Sequence, residues 1–175
     1  MRCDFLSQLA WRSNEAKMSE SHLVYLNLGS NIEPEANLPK AVHLLSNLGE
    51  VKRISSVWES EAVGADGPNY LNICVLLESK FALPELKRDV IDQIELSLGR
   101  VRGADKFAPR TIDIDIVLFD DQSLNNEYWK LAFIVIPLAE VHPEFEIPTS
   151  EETLAEAATR LRNEVWMEAR RGVLG

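Results

Sequence analysis

Residues 99–119 read G-R-V-R-G-A-D-K-F-A-P-R-T-I-D-I-D-I-V-L-F. The second half of this stretch alternates. On a strand, successive side chains turn to opposite faces, so Asp113 and Asp115 point one way while Ile112, Ile114 and Ile116 point the other. The two aspartate Cα atoms then lie roughly 6–7 Å apart. Carboxylates so placed share hard cations, because magnesium takes oxygen ligands and favours carboxylates together with substrate phosphates. Upstream stand four cations, Arg100, Arg102, Lys106 and Arg110, which supply donors for phosphate oxygens. On the residues alone a plainer reading stays open. An acid/apolar alternation also describes an ordinary half-buried strand whose surface acids meet arginines of little energetic weight.

The chain around this strand spells a simple order. Residues 23–28 form an apolar strand that ends at the turn Gly29-Ser30-Asn31. Residues 34–48 carry Leu38, Val42, Leu45 and Leu48 at helical spacing, and Gly49 stops them. Residues 51–58 alternate as a strand, and 59–69 are loop. Residues 71–78 are a dense, central strand. Residues 84–98 are a second helix, opened by Pro84, lined by Leu86, Val90, Ile94 and Leu98, and ended by Gly99. The Asp-bearing strand, 111–119, follows. A short apolar piece (133–138), a Pro-bounded loop and a helix from about 151 to 167 complete the chain. The order β-α-β-β-α-β is the split βαβ arrangement of ferredoxin-like α+β folds. An antiparallel sheet with helices on one face, plus a C-terminal helix, is expected. Residues 1–20 are expected to be an N-terminal extension of poor order, with Met18 a natural start, and residues 21–170 a single domain.

Composition narrows the function classes. The chain has 175 residues, 46% of them apolar, which suits one domain with a real core. Its net charge of −10 argues against general nucleic-acid binding, so a local basic cluster implies a dedicated anion site. Cys3 and Cys74 form neither a disulfide framework nor a zinc motif, and Cys74 reads as a small core residue. No apolar run is long enough to cross a bilayer and no secretory signal stands out, which fits a cytoplasmic setting. His43 reads as surface, His22 precedes the first strand and suggests nothing, and His142, beside a proline turn, reads as a loop histidine.

The run K-F-A-P-R-T-I-D-I-D-I-V, residues 106–117, closely resembles the signature of the 6-hydroxymethyl-7,8-dihydropterin pyrophosphokinase family. The resemblance covers residues 23–154 and implies the same βαββαβ core. It also implies that Asp113 and Asp115 hold two Mg²⁺ ions that bridge the phosphates of ATP. Arg100, Arg102 and Arg110 match the basic residues of a mobile catalytic loop and strand entrance, where they clamp phosphate. Lys106 stands where the family often has Arg, and Phe107 where it often has Trp. Glu95 matches a nucleotide-side acid. On the pterin side, Tyr70 and Asn72 match the family's Tyr-x-Asn, Ser60 and Val63 fall at loop positions that touch pterin, and Phe133 matches an aromatic that sandwiches the ring. Without the resemblance, Tyr70 and Phe133 read equally well as packing residues, and Asn72 as the end of a loop. Asn31 matches a turn residue.

One departure stands out. The family carries a longer connection after its Asp strand, with a Pro-His segment that touches ATP. Here the chain runs N-N-E-Y-W-K-L-A-F, and only Tyr128, Trp129 and Lys130 are nearby. Losing one or two charge-assisted contacts would cost about 2–5 kcal/mol in transition-state or ATP binding. The implied activity is pyrophosphate transfer from ATP to the hydroxymethyl group of the pterin, by a monomer with small-molecule partners. The alternatives are a non-catalytic pterin- or nucleotide-binding relative and a purely structural ferredoxin-like domain.

Overall fold

In the computed structural model, the chain is described over residues 21–62, 67–101 and 108–174. Strand β1 (His22–Ser30) runs through the middle of the sheet because both its faces are covered. Every residue from Val24 to Ser30 is buried. Strand β4 (Tyr70–Ser79) pairs with it antiparallel on one side, and β5 (Asp113–Phe119) on the other. Along β4 lie β2 (Glu50–Ile54) and β3 (Val57–Ser60). These two come from the single strand expected over 51–58. The break falls at Ser55, whose N–H still donates to the Cys74 carbonyl and whose hydroxyl accepts from the Cys74 N–H, both at 2.9 Å. Two short strands finish the edges, β6 (Gln122–Ser123) on β5 and β7 (Met167–Arg170) on β3. The order is β6-β5-β1-β4-β3-β7, with β2 also on β4.

Strand alternation sorts the core. Val24, Leu26 and Leu28 of β1, Ile73, Val75 and Leu77 of β4, and Ile114 and Ile116 of β5 share one face. Helix α1 (Pro34–Ser46) covers it with Leu38, Ala41 and Leu45. Helix α2, residues 83–97, adds Leu86, Val90 and Ile94, each fully buried. Its middle turn, Leu86–Ile91, is a π-turn flanked by α-helical turns Leu83–Glu85 and Asp92–Ser97. These are the two helices of the expected βαββαβ core, on one face as expected.

The opposite face has its own cover. Tyr25, Cys74, Leu76, Val117 and Leu118 meet helices α3 (Ala132–Val141) and α4 (Leu154–Glu164). Helix α3 corrects the short apolar piece expected at 133–138. Its sequence A-F-I-V-I-P-L-A-E-V is apolar nearly all round and so carries no period, and eight of its ten residues are buried. Helix α4 opens with a capping box, Thr153 and Glu156, and is shorter than expected because the chain leaves it at Val165 to form β7.

Gly49, between α1 and β2, is set by close approach. A Cβ there would fall 2.4 Å from the backbone oxygen of Glu78. Gly49→Ala is expected to cost about 1–3 kcal/mol, seen as a lower urea midpoint with an unchanged m-value.

Candidate active site

Helix α3 covers only part of its face of the sheet. Beyond it, two rows of side chains cross the strands. The first row is Asp113, Gly29 and Asn72, and the second is Asp115, Asn27 and Cys74. Together with Arg110, Ser60, Tyr70, Tyr128 and Phe133, all but Cys74 line a cavity of about 280 Å³. The aspartates face it because of strand alternation, as the sequence pattern requires. The register slips between Tyr25 and Leu26, so Val117 and Leu118 both join the core below the acids.

The floor is kept open by glycine. A Cβ on Gly29 would lie 3.1 Å from the Asn72 side-chain oxygen and 3.7 Å from the Tyr70 ring. Asn72 is 2% exposed and donates to the Ser60 hydroxyl at 3.0 Å. That bond orients an amide beside two rings, Tyr70 and Phe133. Burial raises the Tyr70 phenol above its usual range, so it stays neutral.

The basic groups reach the acids from two elements. Helix α2 ends in a Schellman motif: Gly99 has φ +82°, its N–H donates to the Leu96 carbonyl at 3.1 Å, and the Arg100 N–H donates to the Glu95 carbonyl at 2.9 Å. This reversal sends the Arg100 guanidinium between the carboxylates of Glu95 and Asp113, with which it forms ion pairs. Glu95 is 3% exposed and also accepts from the Ile114 N–H at 2.9 Å, so it is tied to β5 itself. Arg110 pairs with the other oxygen of Asp113. The backbone of Arg110 is fixed by Asn31: the Arg110 N–H donates to the Asn31 side chain at 2.7 Å, and the Arg110 carbonyl accepts from the Asn31 and Ile32 N–H groups at 3.1 Å. Asn31 also donates to the Pro68 carbonyl at 3.2 Å. It is the expected turn residue, and it locks three segments at the cavity.

Tyr128 holds Asp115. Its hydroxyl donates to the carboxylate at 3.2 Å, and burial with the nearby Asp115 charge pushes the phenol well above its usual range. Burial first, and then the Asp113 charge, raise the Asp115 carboxyl to about 6. Tyr128 and Asp115 also border a second, more polar cavity of about 530 Å³, lined by Lys87, Arg88, Asp92 and Asn125. Of the neighbours weighed from sequence, Trp129 is core against Phe145, and Lys130 is an exposed partner of Glu127.

Sequence reasoning missed Asn27 and did not place Tyr128. Asn27 was visible as the one amide in an otherwise apolar run, whereas Tyr128 sits in a 3₁₀ turn (Asn126–Lys130) that carries no period. The histidines lie elsewhere. His43 is exposed, His22 lies 2.6 Å from Asp120, and His142 stacks on Tyr25. Of the expected site residues, Ser60, Tyr70, Asn72, Arg110, Asp113, Asp115 and Phe133 meet at the first cavity, with Glu95 and Arg100 beside it. Val63, Arg102, Lys106 and Phe107 lie outside the described residues.

The acid pair fits a hard divalent ion. Two carboxylates share a face and a cavity, and burial first, then the Asp113 charge, raise the proton affinity of Asp115. Among the described residues, no three or more His, Cys, Asp or Glu side chains gather into a closed cage. Magnesium, which keeps waters and takes phosphate oxygens, suits such a pair, and at Asp113 it would take the place of the Arg100 and Arg110 guanidinium groups.

The profile of 7,8-dihydro-6-hydroxymethylpterin-pyrophosphokinase (HPPK) matches residues 25–143, which span both the floor and the walls of this cavity. The chain belongs to the HPPK family. Several relatives carry the name 2-amino-4-hydroxy-6-hydroxymethyldihydropteridine pyrophosphokinase. The Synechocystis protein is 34% identical over 146 residues, covering 77% of this chain and 74% of its own. The Pseudomonas aeruginosa protein is 34% identical over 137 residues, covering 71% and 83%. Among solved structures, a Plasmodium falciparum HPPK-DHPS chain with SDX-DHP superposes with a TM-score of 0.64 at 14% identity. The match takes in 85% of this chain and 46% of that one, so this chain spans less than half of that longer protein. At such identity the superposition shows a shared HPPK fold.

Proposed function

We propose that the chain transfers the β,γ-pyrophosphate of ATP to the hydroxymethyl group of 6-hydroxymethyl-7,8-dihydropterin, giving AMP and the pterin diphosphate in folate biosynthesis. The observation that carries this reading is one cavity that joins Asp113 and Asp115 to Asn72, Tyr70 and Phe133. Phosphate chemistry and ring recognition meet there. The pterin would lie among Tyr70, Phe133 and the Asn72 amide, whose donors and acceptor suit an amino-pyrimidinone edge. ATP would occupy the neighbouring cavity, near Lys87 and Arg88, and meet the pterin over Asp115.

In this reading the pterin hydroxyl oxygen attacks the β-phosphorus in line, and the bond from that phosphorus to the α-phosphate bridging oxygen breaks, releasing AMP. Asp113 and Asp115 would hold two Mg²⁺ ions, which neutralise charge on the triphosphate and align it. Arg100 and Arg110, ion-paired to Asp113 in the ligand-free chain, would turn to phosphate oxygens as charge-assisted donors when Asp113 takes the metal, and Arg102, Lys106 and Phe107 belong to the same segment by sequence. Tyr128 keeps the Asp115 carboxylate turned toward the cavity. No general base is assigned: the hydroxyl proton passes to water or to a phosphate oxygen, since transfer of this kind depends mostly on positioning and electrostatics. The same reading takes the domain as residues 21–170, acting as a cytoplasmic monomer on small molecules. Among the described residues, no helix is long and apolar enough to cross a membrane.

The test is direct. The protein incubated with Mg-ATP and the hydroxymethyl pterin is expected to produce AMP, and Asp113→Ala is expected to abolish it. Pterin binding by calorimetry without AMP from the unaltered chain would instead mark a non-catalytic relative. Absence of binding of both ligands would end the reading.

A further inference from the structure

Among the described residues four asparagines are buried: Asn27, Asn31, Asn37 and Asn72. Asn31, Asn37 and Asn72 each donate a side-chain hydrogen bond to a named partner. Among the described residues, the Asn27 side-chain oxygen has none, although the residue is only 4% exposed. A buried carbonyl oxygen without a donor forfeits its hydration and gains nothing in return. The middle of a doubly covered central strand favours an apolar residue, so folding alone gives no reason for this one.

Place supplies the reason. Among the described residues three other buried side-chain polar atoms lack partners, Thr111 Oγ1, Ser123 Oγ and Trp129 Nε1, and none of these residues lines the first cavity. Asn27 does line it. The residue stands directly across from Asp115 on one side and Cys74 on the other. Its diagonal neighbours in the first row are Asp113 and Asn72, within about 7–8 Å on such a sheet. Gly29, the next residue on the same face of β1, has no side chain to screen it. A ring that spans from the Asn72 amide toward Asp113 therefore crosses Gly29 and lies beside Asn27.

We infer that the Asn27 carboxamide is a further substrate-contact residue, hydrogen-bonded to a polar edge of the heteroaromatic ring held in this cavity and selective for a ring that carries such an edge. The inference rests on the pyrophosphokinase reading. An amide offers both donors and an acceptor, so it discriminates against a hydrocarbon ring of the same shape.

The experiment compares the unaltered chain with Asn27→Ala, and with Asn27→Ser as a second small replacement. Binding of 6-hydroxymethylpterin and of magnesium with an α,β-methylene ATP analogue is measured separately, alongside thermal unfolding of the ligand-free proteins. Asn27→Ala is expected to weaken pterin binding about 10–100-fold, the range that follows from leaving one buried hydrogen bond unmade. Nucleotide affinity is expected to stay within about twofold, and the ligand-free melting temperature to stay level or rise, because an unpaired polar group has gone. Unchanged pterin affinity in both variants overturns the inference. So does a loss confined to the magnesium nucleotide, which would assign the amide to the metal side. A lower melting temperature with unaltered pterin affinity would make Asn27 merely structural. If the unaltered chain binds no pterin, the pyrophosphokinase reading falls and the inference with it. If it binds pterin and the variants bind equally well, only the inference falls.

Discussion

Asp115→Asn is expected to stabilise the metal-free protein at pH 8 while removing its pyrophosphoryl transfer. The Asp115 carboxyl is raised to about 6 by burial and by the charge of Asp113. In the unfolded chain the same group titrates near its ordinary value, about 3.9. Between these pH values the folded protein holds a proton that the unfolded chain has lost, so stability falls as pH rises through the window and stays low above it. The deficit above pH 6 is about 2–3 kcal/mol at 1.36 kcal/mol per unit. Asparagine keeps an acceptor for the Tyr128 hydroxyl and carries no charge. In buffer with a chelator, its melting temperature at pH 8 should exceed that of the unaltered chain by about 4–8 °C. Below about pH 4 the difference should vanish, since both states of the unaltered chain are then protonated. Transfer, by contrast, should drop on the order of 10³-fold in kcat/KM, because the amide no longer balances a cation against phosphate. A variant that is both less stable and active would contradict this account on both counts.

Arg100→Ala is expected to destabilise the protein by about 3 kcal/mol, well beyond what a surface arginine contributes. Arg100 is 13% exposed on its side chain and bridges Glu95 and Asp113, and Glu95 is 3% exposed. Removing the guanidinium takes one paired cation from the Glu95 carboxylate, which is buried between α2 and β5. Arg88→Ala makes the control, since Arg88 is 72% exposed and paired with its neighbour Asp89. That change should stay within about 0.5 kcal/mol. Adding Glu95→Gln to Arg100→Ala should recover much of the loss, because no buried charge is then left short of that cation. Urea midpoints of these three variants and of Glu95→Gln alone decide the matter. Additive losses in the double variant would show that Glu95 and Arg100 do not act as a pair.

The sequence exposed those features whose cause is local. The alternation from Ile112 to Ile116 places the acids on one face whatever surrounds them. Gly99 ends a helix because a left-handed residue is needed there, and the turn it makes aims Arg100. Features with distant causes stayed hidden. Helix α3 is a run with Ile134-Val135-Ile136 and an internal proline, poor helix material by local preference. It is helical because the sheet face and α4 enclose it, a tertiary effect that outweighs propensity. Strand β7 is four residues of no clear pattern, and only the waiting edge of β3 gives it partners. Tyr128 reaches Asp115 through a fold-back of the chain after β6, which spacing does not encode. Family resemblance reached Asn72 and Phe133, where the residues alone left packing equally open. It passed over Asn27, whose meaning lies in a missing hydrogen bond.

The cavity floor is made from β1, β4 and β5, the innermost strands of the sheet. Asn27, Asn72 and Asp115 each sit in ladders whose breakage amounts to dismantling the whole domain. Recognition and cohesion thus draw on the same backbone. The walls, built from loops and from the turn before α3, carry no such ladders, but every experiment on the base of this pocket is also an experiment on survival of the fold.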